Sequence, residues 1–300
     1  MQTTNQVFLV RPASFSYNKQ TARSNAFQTI TALSPVEIQT KALEEFDAFV
    51  MTLRTAGIQV EVFEDTPEPI KPDAVFPNNW ISVHEDGTIV LYPMCTPNRR
   101  LERKQAVLDW LDEEKPFITI IDYTVYEDQG RFLEGTGSIV FDHLNKKAYA
   151  CLSPRTDQGL FENLMVHLGY TAISFNASDK ANQAIYHTNV MMSIGKGFVV
   201  ICLESIKSKL ERQEVIQELE KSGLDIVRIS LEQVEHFAGN MLALRIGEQQ
   251  VLVLSQSAFD CLTTEQKEQL EQYTKLLALP IPTIELIGGG SARCMITEVF

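Results

Sequence analysis

The stretch WISVHEDGTIVLYP, residues 80–93, reads as strand, tight turn, strand: β-branched and aliphatic residues run up to Asp86-Gly87 and resume directly after it. The pattern recurs. SIVFDHLNKKAYACLSP (138–154), VMMSIGKGFVVICLES (190–205) and MLALRIGEQQVLVLSQS (241–257) place apolar runs on either side of Asn-Lys-Lys, Gly-Lys-Gly and Gly-Glu-Gln-Gln connections. Working outward, each hairpin is followed by a stretch with apolar residues three and four apart, predicting helices over 99–114, 157–169, 206–223 and 263–279. Thr263-Thr264-Glu265 suits a helix start and Gly223 a helix stop. A short apolar strand is expected after each helix: FITIID (117–122), YTAISF (170–175), DIVRIS (225–230) and PTIELI (282–287). A fifth helix and strand, 34–57 and 58–64, precede the first hairpin.

The unit is therefore helix, strand, loop, hairpin, written five times in an α/β chain. The residues just ahead of the hairpins are Asn79, Gly137, Asn189, Asn240 and Cys294, spaced 58, 52, 51 and 54 apart, which is one period within small variation. The last copy is truncated, since CMITEVF supplies a single strand. The N-terminal QVFLVRPA has no hairpin partner of its own. Pairing these two strands closes the array into a ring around a central channel and leaves no free strand edge at the seam. The chain of 300 residues would make two domains at about 150 residues each. The repeat replaces that expectation with a single domain over 1–300.

Composition narrows the class. With 44% hydrophobic and 22% charged residues the chain is not a disordered one, and 15 Gly and 12 Pro exclude collagen-like or linker-like classes. A formal net charge of −13 argues against a general nucleic-acid or anionic-membrane surface. Nothing apolar runs for about 18 residues, and MQTTNQVFLVRP lacks a charged segment followed by a long apolar one, so neither a membrane span nor a secretory signal is expected. Five cysteines cannot all pair, and Cys95, Cys151, Cys202, Cys261 and Cys294 show no zinc-like spacing. The expectation is a reduced, cytoplasmic chain.

In a closed ring the loops 72–79, 130–137, 184–189, 235–240 and 288–294 converge on the channel. They carry Asp73, Asn78, Asn79, Glu134, His187, Thr188, His236, Asn240, Arg293 and Cys294. A thiol, an imidazole and a carboxylate from three different units are the ingredients of a cysteine nucleophile with a histidine acid/base and an orienting acid. Cys294 stands apart because it holds the register position that Asn or Gly holds in the other units. Cys95, Cys151 and Cys202 sit in or beside second hairpin strands and read as core. His236 has no evident partner, and His84, His143 and His167 fall in hairpins or helices. The Gly-rich runs 134–137 and 288–292 match no nucleotide-binding loop, because a hairpin or strand follows where a helix is required. No cofactor is expected, and no metal.

The fivefold unit, Glu134-Gly after a strand, Tyr186-His187-Thr188-Asn189, and Gly-Gly-Gly-Ser-Ala-Arg293-Cys294 together resemble the pentein, or amidinotransferase-like, superfamily, over essentially the whole chain. That resemblance implies a five-bladed α/β propeller and an enzyme related to arginine deiminases, dimethylarginine dimethylaminohydrolases and amidinotransferases. It implies Cys294 as nucleophile, forming a covalent adduct, with His187 as general acid/base and Glu134 holding the histidine and the substrate nitrogens. Asp73, in PDAVFPNN, is similar to the family's first-unit stretch whose carboxylates contact substrate. Arg99 or Arg100, in PNRRLE, and Arg155, in LSPRT, resemble family arginines that bind the amino-acid carboxylate; a solvated cation at a helix start is the other reading for them.

One departure bears on the substrate. Where many guanidine-processing members have acids at the end of the first motif, this chain has Asn78 and Asn79. A guanidinium pairs with carboxylate, whereas an amide offers donor and acceptor to a neutral ureido group. The chain thus resembles most the branch of citrulline-utilisation hydrolases, which would release ammonia and carbon dioxide and leave ornithine. Hydrolysis of arginine or a methylated arginine stays open, as does amidino transfer, and a non-catalytic binding module is the reading from a different class. The partner in each enzyme reading is a small ureido or guanidino amino acid, with no nucleic acid and no membrane; a homo-oligomer is compatible with it.

Overall fold

The computed structural model describes residues 1–114 and 119–300. Five three-stranded sheets follow one another around a ring. β1 (Gln6–Arg11) pairs parallel with β2 (Gln59–Glu64). The next four sheets each join an antiparallel hairpin to a parallel third strand. They are β3 (Ile81–Val83), β4 (Thr88–Leu91) and β5 (Thr119–Asp122); β6 (Val140–Asp142), β7 (Lys147–Cys151) and β8 (Thr171–Phe175); β9 (Met192–Gly195), β10 (Phe198–Ile201) and β11 (Asp225–Arg228); and β12 (Leu242–Ile246), β13 (Gln249–Ser255) and β14 (Lys275–Leu279). β15 (Thr297–Val299) then pairs antiparallel with β1, Phe8 against Thr297, and closes the ring as expected.

Parallel neighbours need a crossover of a dozen or more residues, and helices supply it. The helix Pro35–Ala56 shows why they form here. Ser34 caps its start and exchanges hydrogen bonds with Glu37, Pro35 occupies the first turn, and Gly57 ends it in the left-handed region at φ 101°. Ile38, Ala42, Phe46, Phe49, Val50 and Leu53 form its buried stripe. Gln158–Leu168 is capped by Asp157 and Lys209–Lys221 by Ser208.

Three expected elements differ. The helix predicted over 99–114 is split into a turn, Pro97–Arg100, and Gln105–Glu114. The break follows from Arg99, whose guanidinium is drawn into the interior by Glu102 and Asn79. The helix predicted over 263–279 runs only over Thr264–Glu271, and its last apolar run forms β14, pairing with Val251–Ser255. A short apolar run carries no periodicity that separates strand from helix, so pairing decides. The strand expected at 282–287 is instead a wide helical turn, Ile284–Gly288. Its start is held by Glu45, whose carboxylate accepts from the N–H groups of Thr283 and Ile284 at 2.8 and 3.0 Å. Of FITIID, Phe117 and Ile118 lie outside the described residues and the rest is β5.

The first hairpin strands line the axis: β15 packs on β3, β6 on β9, and β9 on β12. Their entry turns, Pro77–Asn79, Gly135–Ser138, Thr188–Val190 and Ala292–Met295, gather at one end of it. Among the described residues no helix is long and apolar enough to cross a membrane.

Candidate active site

Cys294 ends the Gly-rich loop and is 4% exposed. The loop is anchored from below, where Ser291 Oγ donates to Glu285 Oε1 at 2.6 Å. Two carboxamides from other units close on the thiol: Asn240 Nδ2 lies 3.3 Å and Asn189 Nδ2 3.5 Å from Sγ. Asn240 is itself fixed, because its Oδ1 accepts from the Arg293 N–H at 3.0 Å and its Nδ2 donates to Asn189 O at 2.9 Å.

Glu134 is fully buried and fully engaged. Its Oε2 meets His187 Nε2 at 2.8 Å and Arg155 Nη1 at 3.4 Å, while Oε1 accepts from the Cys95 N–H at 2.9 Å. Burial alone would raise this carboxyl, but Arg155, His187 and Arg99 hold it well below the usual range, so it is ionised. Burial pushes His187 down against the pull of Glu134, so the imidazole rests neutral. Gly137 makes the approach feasible. A Cβ there would sit 2.4 Å from Asn79 Nδ2 and 2.7 Å from His187 Nδ1, so a larger residue would drive those two groups apart.

The first unit contributes a second buried network. Arg99 donates to both oxygens of Glu102 at 2.9 Å, to Asn79 Oδ1 at 2.7 Å and to Phe76 O at 3.1 Å, with Asp73 Oδ2 3.8 Å away. Because Arg99 takes the Asn79 oxygen, the amide NH₂ faces the other way, beside Gly137 and His187. Asp73 Oδ2 accepts from Asn18 at 2.8 Å and Thr21 at 3.2 Å, and burial raises this carboxyl. Asn78 Nδ2 donates to Thr136 Oγ1 at 3.1 Å. Asp73 Oδ1, Asn78 Oδ1 and Asn79 Nδ2 are buried without a partner among the described residues. Each such atom costs about 1–3 kcal/mol unless something meets it.

The structure thus brings Cys294, His187, Glu134, Asp73, Asn78, Asn79, Arg99 and Arg155 to one end of the axis. Arg100 is taken up by Met94 O at 3.1 Å and Glu127 at 3.4 Å, neither of which belongs to that cluster. Cys151 and Cys202 are wholly buried in strand packing, with thiols pushed up by burial to about 12 and 11. His236 is exposed. Among the described residues no group of three or more His, Cys, Asp or Glu is placed to hold a metal ion.

Sequence reasoning missed the cover of the site. Residues 12–34, between β1 and the first helix, form a strap of turns across the loops. Asn18 and Thr21 reach Asp73; Thr21 O and Ser24 Oγ receive Arg155 at 3.1 and 2.7 Å; Asn25 Nδ2 donates to Gly288 O and Gly289 O at 3.2 Å. Phe27 packs against Tyr186 with ring centres 6.0 Å apart. The only signal for it was length, since a structureless loop this long in a compact ring is usually functional. Asn189 and Asn240 were visible in the repeat register, but not as neighbours of the thiol.

Comparison with known proteins adds a family. The model of the family described as N,N dimethylarginine dimethylhydrolase, eukaryotic, matches residues 11–300. Among solved structures the chain is similar to a substrate-bound variant of the N-terminal domain of ArgZ, an arginine dihydrolase from the ornithine–ammonia cycle in cyanobacteria: 18% identity, TM-score 0.75, with 98% of each chain covered. It is similar to an AgrE variant in complex with L-arginine at 17% identity and TM-score 0.76, over 98% of this chain and 40% of that one. A dimethylarginine dimethylaminohydrolase variant in adduct with S-methyl-L-thiocitrulline follows at 12% identity and TM-score 0.64, over 98% and 99%. At these identities the structural likeness is one of fold. No curated protein matches the chain.

Proposed function

The chain belongs to the N,N dimethylarginine dimethylhydrolase family within the pentein superfamily, and from that premise we propose that it is a cysteine-dependent C–N hydrolase whose substrate is a citrulline-like ureido amino acid. The observation that carries the substrate is the set of unpartnered buried atoms. Asp73 Oδ1 and Asn78 Oδ1 are acceptors, while Asn79 Nδ2 is a donor whose orientation Arg99 dictates. A ureido group, with one carbonyl oxygen and N–H groups on both sides, matches two acceptors and a donor. A guanidinium has donors only and would leave the Asn79 amide opposite another donor. Arginine or a methylated arginine is the second reading, favoured by the family's description and by the arginine-bound AgrE structure.

In the proposed reaction neutral His187 takes the Cys294 proton, and Glu134 stabilises the imidazolium formed. The thiolate, held by the Asn189 and Asn240 amides, adds to the ureido carbon while Asn79 Nδ2 donates to the carbonyl oxygen. Ammonia leaves with the proton carried by His187, and a thiocarbamate remains on Cys294. His187 then deprotonates a water, the hydroxide adds, and the C–S bond breaks to return the thiolate. The carbamate released separates into the amine and carbon dioxide, so that one ureido group and one water yield one amine, one ammonia and one carbon dioxide. Of the three arginines assigned to the substrate carboxylate, the reading favours Arg155, whose partners besides Glu134 are strap groups that a bound carboxylate would replace. Glu102 and Asn79 occupy Arg99, and Glu127 occupies Arg100. The reading treats 1–300 as one domain without metal or cofactor; five unpaired thiols fit a reducing cytoplasm.

The test is direct. The purified protein is incubated separately with citrulline, arginine and dimethylarginine, and the products are identified by mass spectrometry. Ornithine from citrulline is expected; citrulline accumulating from arginine or dimethylarginine, with citrulline itself inert, overturns the ureido reading.

A further inference from the structure

The axis of the ring continues past the site. The first hairpin strands leave the site end and run to the opposite face: β3 lies between Asn79 and His84, β6 between Ser138 and His143, and β15 between Cys294 and Phe300. Three cavities lie along this path. The one nearest the site, about 30 Å³, is lined by Asn189, Ser193, Arg293 and Glu298, of which Asn189 contacts the thiol and Arg293 precedes it in the chain. It shares Phe141, His143 and Glu298 with a second of about 10 Å³. That one shares His84, His143 and Phe300 with a third of about 250 Å³, whose walls include exposed Asp86 and Lys146 at the surface.

The walls are equipped for a small polar guest. Asn189 Oδ1 and Ser193 Oγ in the first cavity and Thr297 Oγ1 in the second are buried without a partner among the described residues. Asn189 spans both compartments, since its Nδ2 contacts Cys294 Sγ while its Oδ1 is unpartnered. The first cavity, about 30 Å³, has room for a water and little else, and the second, about 10 Å³, is the constriction, at the margin of what one water needs. The front of the site, by contrast, is shut by the strap, with Asn18 and Thr21 each 1% exposed.

We propose that this string of cavities is a rear conduit, bringing water to the Cys294 adduct and letting ammonia out while the strap stays closed over the substrate. The proposal rests on the hydrolytic reading above. That chemistry exchanges one ammonia for one water at a single carbon, with the rest of the substrate still covalently held. Both are neutral molecules of about the same size, so one narrow polar path serves each in turn. A front route would require the strap to release Asp73, Arg155 and the Gly288–Gly289 carbonyls between the two half-reactions.

Two variants narrow and dry the path without touching the thiol, Ser193→Val and Thr297→Val, the second nearly isosteric and a safeguard should the first fail to fold. With citrulline, acid-quenched mass spectrometry follows the adduct. Each variant is expected to form it at the wild-type rate but to accumulate it, with kcat down about tenfold. Unchanged kcat and unchanged adduct occupancy in folded variants overturn the conduit. A second readout needs no turnover: oxidation of Cys294 by hydrogen peroxide, a neutral molecule little larger than water, against alkylation by the bulkier iodoacetamide. Slower peroxide oxidation with unchanged alkylation supports the conduit, whereas rates that both hold or both fall overturn it. If the wild type converts none of the three amino acids, the hydrolytic reading fails, and the peroxide comparison alone then decides whether the path exists.

Discussion

His187 and His84 sit at opposite ends of one axis, on equivalent units, and both are buried. Burial lowers both imidazoles, His84 to about 4. Their partners differ. His187 meets the ionised Glu134, whereas His84 has a neutral hydroxyl, Ser82 Oγ at 2.9 Å, and the ring of Phe141 5.4 Å away. An imidazole with an anion in contact can accept a proton during a reaction and give it back. One among hydroxyls and rings can only be kept neutral. Two buried imidazoles of one repeated scaffold thus differ in their partners: the one proposed as acid/base has a carboxylate in contact, and the other does not.

The largest effect that tests this contrast is at the thiol that His187 is proposed to serve. Cys294→Ala is expected to reduce turnover by at least about a thousandfold while substrate still binds, measured by product mass spectrometry and calorimetry; retained turnover removes the nucleophile. Next come His187→Ala and Glu134→Gln, each expected to lower kcat by roughly 10²–10⁴. If Glu134→Gln were silent, the carboxylate would not be what distinguishes the two histidines.

Smaller effects concern stability. His84 has a folded value of about 4 against 6.5 unfolded, so the unfolded chain binds more protons between these limits. Its contribution is fully present above pH 6.5 and lost as pH falls toward 4, on the order of 3 kcal/mol. Urea unfolding of His84→Gln across that window should show a flatter decline than the wild type. Glu285, under the Cys294 loop, is raised by burial to about 7 although Ser255 and Ser291 bond to it. The folded chain then binds more protons between pH 4.5 and 7, and its stability falls as pH rises through that window by a similar amount. Glu285→Gln should remove this loss, leaving the variant the more stable one at pH 8. The two ends of the axis thus respond to pH with opposite sign.

Much of this was legible beforehand because a repeat states its own register. Asn79, Gly137, Asn189, Asn240 and Cys294 line up by period, and the ring geometry converts equal register into spatial proximity. That logic singled out Cys294, His187 and Glu134 for the catalytic proposal, and it foresaw the pairing of β1 with β15. It failed at 275–288, where strand and helix exchanged places. KLLAL had no intrinsic periodicity, and the next segment was capped by Glu45, more than two hundred residues away in sequence. The strap was illegible for another reason: its contacts to Asp73, Arg155 and Gly288 are side-chain hydrogen bonds from a segment without pattern.

Periodic apolar patterning, which local backbone geometry reads directly, is enough for the sequence alone to determine five units, their order and the three residues of the catalytic proposal. The tertiary structure decided which face Asn79 turns inward, that Arg99 is committed to Glu102 rather than free, that two amides grip the thiol, and that the strap covers it. Those outcomes depend on desolvated charges seeking partners across the ring, and such a search is settled only once the whole ring has closed.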